Sequence, residues 1–182
     1  MRKIVLTYGL LAGAIMAGVM LAVLPFREQV GFDHAAVVGY SSMVAAFLMI
    51  YFGVRSYRDT VAGGQLGFWR ACQVGGLIML VVTVCYVAAW EVVYFAVMPD
   101  FVDHYAAYMI AKMKAAGASE AALAAKAKEM ADFKVMYDNP LVNIAFTFLE
   151  PLPVGLLFTL LSAGLVSRRR GAAQAAGTAV TA

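Results

Sequence analysis

Two carboxylates stand where a carboxylate is expensive: Glu91 interrupts the apolar run AAWEVVYFAV (88–97), and Glu150 interrupts FLEPLPVG (148–155). An ionisable side chain inside a membrane span faces protein or water rather than acyl tails, and in that position it marks proton relays and cation pathways. Glu91 lies about eight residues, or about 12 Å, from one end of its apolar block, and Glu150 lies about ten residues into its own. Ser41, Ser42 and Thr147 fall near the same level. The expected arrangement is a polar layer in which Glu91, Glu150, Ser41, Ser42 and Thr147 face one another inside a bundle. The cost is bearable, because a central charge costs about 2.5 to 3.5 kcal/mol on insertion scales and each Leu, Ile, Phe or Val returns about 0.3 to 0.6. Pro151 and Pro153 lack N–H groups, so the carbonyls of Thr147 and Leu149 lose their helical donors and a kink is expected there. Freed carbonyls beside an acid resemble the broken helices on which transporters hold cations or protons. The alternative is a structural kink whose carbonyls are satisfied by neighbouring helices or water.

The elements that must position these residues are membrane helices. The 182-residue chain is 63% hydrophobic and only 14% charged, far outside the composition of soluble domains. Its apolar residues form four blocks, at about 4–24, 35–54, 71–98 and 140–166, each long enough to cross a bilayer. A signal peptide competes for the first block. Its apolar region would be shorter and would end in small residues, whereas bulky LAVLPFREQ follows here, so an uncleaved anchor is expected. Asp33 is the expected N-cap of the second helix, and Asn139-Pro140 opens the fourth. The fold class is therefore an all-α membrane protein: a four-transmembrane-helix bundle over 1–166, followed by a basic stop and a disordered tail over 167–182.

Lys and Arg distribution orients the bundle. Arg2 and Lys3, then Arg55, Arg58 and Arg70, then Arg168, Arg169 and Arg170 all fall to one side, predicted to be cytoplasmic in a bacterial inner membrane together with both termini. The net charge of +3 is accounted for by anionic headgroups, which leaves no reason to invoke nucleic acid. On the other side, residues 100–138 carry two amphipathic patterns, Phe101, Tyr105, Tyr108, Met109 and Met113, then Leu123, Met130, Phe133 and Tyr137, split at Gly117. They predict a helical hairpin between the third and fourth spans, packed on the membrane surface.

Other clusters offer less. In RSYRDTVAGGQLGFWRA the residues Arg55, Arg58, Asp59, Gly63, Gly64, Phe68, Trp69 and Arg70 suit a headgroup-level turn with aromatic anchors. No Lys followed by Ser or Thr succeeds the glycines, so the turn is no phosphate loop. Cys72 and Cys85 sit about 20 Å apart along one helix and cannot pair. Asp33-His34 and Asp103-His104 could meet on one face, but two histidines with nothing to fix their separation predict no metal site. No cofactor motif is present.

Taken together, MRKIVLTYGLLAG, IYFGVRSYRDTVAGGQLGFWRACQVGGLI and the acidic MPDF, with Gly53, Arg58, Asp59, Gly63, Gly64 and Phe68 most distinctive, resemble the bacterial membrane-protein family catalogued as domain of unknown function 4199. The resemblance runs over about residues 1–166. It implies the four-helix layout and no catalytic residues. Two function classes stay open. One is a non-enzymatic structural or partner-binding membrane component, with the bilayer and a protein partner or second copy as its contacts. The other is a small proton- or cation-coupled carrier using Glu91 and Glu150. No nucleophile with a neighbouring base points to an enzyme.

Overall fold

The computed structural model describes residues 1–167, so the expectations for Arg168, Arg169, Arg170 and the tail lie outside the described residues. Four helical stretches are long and apolar enough to cross a membrane: Arg2–Phe26, Gln29–Thr60, Phe68–Val97 and Pro140–Ser167. The chain is a multi-pass all-α membrane protein, a four-helix bundle with a helical hairpin between its third and fourth spans.

Helix α1 (Arg2–Val23) ends in a 3-10 turn containing Pro25, and α2 (Arg27–Thr60) follows. The corner between them is made at Gly31, whose φ of 64° and ψ of 168° interrupt the helical backbone. That left-handed φ is one an L side chain adopts only with strain. Because glycine supplies the turn, Asp33 is not the cap expected of it; its carboxylate instead accepts a hydrogen bond from Lys112 at 2.9 Å. At its far end α2 closes through the Gly64 amide, which donates to the Arg58 carbonyl at 2.9 Å. Gly63 and Gly64 carry φ of 62° and 82° there, and buried Leu66 anchors the turn into α3 (Phe68–Val92).

Helix α3 runs on through a π-helical turn, Val93–Val97. The hairpin follows as α4 (Phe101–Ala115) and α5 (Glu120–Tyr137), the latter capped by the Ser119 hydroxyl, which accepts from the Ala122 amide. The fourth span is two helices rather than one: α6 (Pro140–Leu149), capped by Asn139, and α7 (Leu152–Ser167), with the break at Glu150–Pro151.

Packing is uneven along the membrane normal. The main core, with Phe47, Ile50 and Val54 of α2 against Val74, Ile78 and Val82 of α3, fills the half of the bundle nearest the α2–α3 turn. A second, aromatic core sits at the opposite end, where Tyr94, Val102 and Met130 gather Trp90, Phe101 and Phe133 around them. The hairpin therefore docks on the end of α3, with Val102 and Met130 buried and the remaining stripe residues, Phe101, Tyr105, Tyr108, Met109, Met113, Leu123, Phe133 and Tyr137, half-buried. Helix α1 is held to α3 at very close range, because a Cβ on Gly13 would lie 2.6 Å from the Cβ of Cys85. In lipid, small residues permit such backbone approach and the dispersion contacts that bind helices together.

Gly13→Leu should cost about 1 to 3 kcal/mol through overpacking and lower the thermal midpoint in detergent. Gly18→Leu, where a Cβ would meet nothing within 4 Å, should leave the midpoint unchanged.

Candidate functional site

Between the two cores the bundle is open. A cavity of about 960 Å³ lies where the first half of α2 stands away from α3, under the hairpin. Its walls come from Met16 and Met20 of α1, from Gly39, Tyr40 and Ser42 of α2, and from Tyr86 and Trp90 of α3. Phe101, Tyr105 and Tyr108 of α4 form its roof, and Glu150, at the break in the fourth span, lies within it. Phe32 fixes the roof to α2, with ring centroids 5.9 Å from Phe101, 5.4 Å from Tyr105 and 5.1 Å from Tyr108. The Lys112–Asp33 ion pair closes the same seam. The Tyr108 hydroxyl and the Asp33 carboxylate both hold the Lys112 ammonium and push its pKa up.

The opposite wall is held by a chain of hydrogen bonds linking α3, α5 and α6. The Trp90 indole can only donate, and it donates to the Tyr137 hydroxyl at 3.1 Å. Thr147 commits its proton to Asn143 Oδ1 at 3.2 Å, so across the 3.4 Å between Tyr137 and Thr147 the tyrosine is the donor. Asn143 Nδ2 then donates to the Tyr137 carbonyl at 3.3 Å, closing the ring. Burial pushes the Tyr137 phenol pKa up, outweighing the opposing hydrogen-bond contributions of Thr147 and Trp90, and the fields of Glu150 and Glu91 add to the rise. A neighbouring contact, Tyr94 Oη donating to Asp138 at 2.6 Å, pins the end of α5 to α3.

The residues of the expected polar layer do not form one cluster. Glu150 Oε2 accepts from the Tyr86 hydroxyl at 2.9 Å. Thr147 is buried in the Trp90–Tyr137 chain. Ser42 lines the cavity and donates to the Gly39 carbonyl, whereas Ser41 is exposed away from it. Glu91 Oε1 is buried with no hydrogen-bond partner and lies outside the cavity lining. The reason is helical phase: Tyr86 and Glu91 are five residues apart, about 140° around the axis, so the face that meets Glu150 is not the face of Glu91. Pro151 is buried and Pro153 exposed on either side of the break.

At the other end of the bundle, Arg58 is buried and donates to Asp59 at 2.7 Å, and Arg55 approaches the same carboxylate at 3.7 Å. Arg70 bonds Gln73 and the Tyr57 hydroxyl. Phe68 packs edge-on to Trp69, which is 82% exposed. Among the described residues, no three His, Cys, Asp or Glu side chains gather as a metal site.

With this geometry in view, one comparison is informative: a family model described as "Protein of unknown function (DUF4199)" matches residues 7–168. The chain belongs to that family. Neither a curated protein nor a solved structure matches it. The site residues of this DUF4199 member that the sequence left unmarked are Tyr86, Trp90, Asn143 and, as a polar group, Tyr137. A signal for them was present, since Tyr86 with Trp90 and Asn143 with Thr147 are each four residues apart and share a helical face.

Thr147→Val leaves buried Asn143 Oδ1 without its donor and the Tyr137 hydroxyl, still accepting from Trp90, without an acceptor for its own proton. It should cost about 1 to 3 kcal/mol, seen as a lower thermal midpoint and a red-shifted Trp90 emission in a Trp69→Phe background.

Proposed function

We propose that this protein is a non-enzymatic ligand-binding component of the bacterial inner membrane, which holds a small amphiphilic molecule in the cavity beneath the α4–α5 hairpin. The observation that carries this reading is the cavity itself. At about 960 Å³ it has the size, the apolar lining and the few convergent polar groups of small-molecule sites. On the α2 side its roof is closed only by ring contacts and one exposed ion pair, the kind of seam that opens at low cost, while the other side of the hairpin stays held to α3 and α6. Supporting the orientation, Arg2, Lys3, Arg55, Arg58 and Arg70 sit at the end of the bundle away from the hairpin, as cytoplasmic residues would. The α2–α3 turn, with Trp69 and Phe68 outside, suits headgroup contact at that face.

A second reading is favoured by one observation. The buried, unpartnered oxygen of Glu91 together with a helix broken at Glu150 fits a proton- or cation-coupled carrier. Proton or cation flux in liposomes that is lost in Glu91→Gln or Glu150→Gln would select it. A protein partner or second copy docking on the hairpin is a further outcome that crosslinking would reveal.

The binding reading is tested with Gly39→Phe, because Gly39 lines the cavity and a Cβ there meets nothing within 4 Å. Native mass spectrometry of protein purified from its own membrane should show a retained amphiphile in the parent and about tenfold less in Gly39→Phe, at unchanged thermal stability. Equal retention in both, or none in the parent, would count against it.

A further inference from the structure

We propose that the ligand of this cavity is a lipophilic organic cation, with the Glu150 carboxylate as its counter-ion and the rings of Tyr86, Trp90 and Tyr40 as its walls. The inference rests on the binding reading above and adds the sign of the ligand's charge.

Charge accounting within the cavity leads there. Glu150 stands about ten residues, or about 15 Å, inside the fourth span, and among the described residues it has no ion-pair partner. Its one hydrogen bond comes from a neutral phenol, Tyr86 Oη. Asp33 also lines the cavity, but Lys112 neutralises it. Three basic side chains line the cavity: Arg27 belongs to the corner between α1 and α2, His34 Nδ1 lies 3.1 Å from the Val30 carbonyl near the start of α2, and His104 of α4 stands 3.6 Å from Asp100, so each belongs to the hairpin end and none is paired with Glu150. At the break in the fourth span the unpaired charge is therefore negative; the Glu150 side chain is exposed to the cavity rather than covered by protein, and a carboxylate facing an apolar chamber is stabilised by an ion that brings the opposite charge.

The walls select the same ligand. Aromatic rings present a negative π face that attracts a cation held over it, most strongly where water is excluded. Tyr86 and Trp90 lie four residues apart on α3 and face the cavity together, Tyr40 enters from α2, and Tyr105 and Tyr108 cover the top. A carboxylate among aromatic rings in an apolar chamber suits a cation that is large and poorly hydrated. A small, strongly hydrated ion would find too few oxygen ligands, since no metal-type cluster exists among the described residues. An amphiphile with an anionic head placed beside Glu150 would meet a charge of its own sign.

Two probes of matched size and opposite charge separate the alternatives: tetraphenylphosphonium and tetraphenylborate, titrated against the purified full-length protein in detergent with empty micelles as reference. Tetraphenylphosphonium should bind saturably, one per chain, and tetraphenylborate should not. Glu150→Gln should weaken the cation by about tenfold or more, Glu150→Asp should keep most of the affinity, and Gly39→Phe should remove it, with thermal midpoints confirming that each variant folds. Equal binding of both probes, unaffected by Glu150→Gln but lost in Gly39→Phe, would overturn the cationic assignment while leaving the cavity as a binding site. Absence of binding by either probe, with no amphiphile retained by the parent protein, would overturn both.

Discussion

Hydrocarbon offers no hydrogen-bond partner, so a polar group that this chain carries into the membrane is costly unless another part of the chain answers it. The ring of bonds running Trp90, Tyr137, Thr147, Asn143 and back to the Tyr137 carbonyl is that answer at the hairpin end. The indole N–H and the Asn143 amide fix the direction of the chain, and the two hydroxyls, which can donate or accept, follow it. Its members come from α3, α5 and α6, and so it fixes the hairpin to the bundle where apolar packing alone would let the layers slide. Without it the roof of the cavity would have no defined height.

The uneven packing follows from the same economy of contacts. Near the α2–α3 turn, glycines let the helices meet at backbone distance, and Phe47, Ile50 and Ile78 fill what is left. Toward the hairpin, the Gly31 corner redirects the start of α2, and the π-turn after α3 together with the break at Glu150 ends two straight helices early. Rings from α2, α3, α4 and α5 share that level with methionines and valines, and the space between them is left unfilled. The tight half holds the fold, and the loose half leaves room for a ligand.

Much of the fold was legible because the bilayer imposes a length that can be counted. Four apolar blocks, the hairpin split at Gly117 and the proline break at Glu150 all follow from composition and from backbone groups that proline lacks. What escaped was rotational phase. Counting residues from the helix ends sets Glu91 and Glu150 at similar heights, but Glu150 lines the cavity and Glu91 does not, and height alone cannot report the face of a helix. Asp33 was misplaced as a cap because a glycine with left-handed φ can turn a chain without any capping side chain. Asn143 and Tyr86 passed unmarked because each is a single polar group in an apolar window, and only the partner contributed by another helix gives it meaning.

The central claim is that a chamber reaching from the hairpin face into the membrane lies on one side of α2 and not on its neighbour. Adjacent serines report this directly, since Ser42 lines the chamber and Ser41 faces away. With Cys72 and Cys85 replaced by alanine, Ser42→Cys and Ser41→Cys would each be exposed to a small, charged, membrane-impermeant thiol reagent from the hairpin side. The account predicts labelling at position 42 and none at position 41. Equal labelling at the two positions, or protection of position 42, would contradict it.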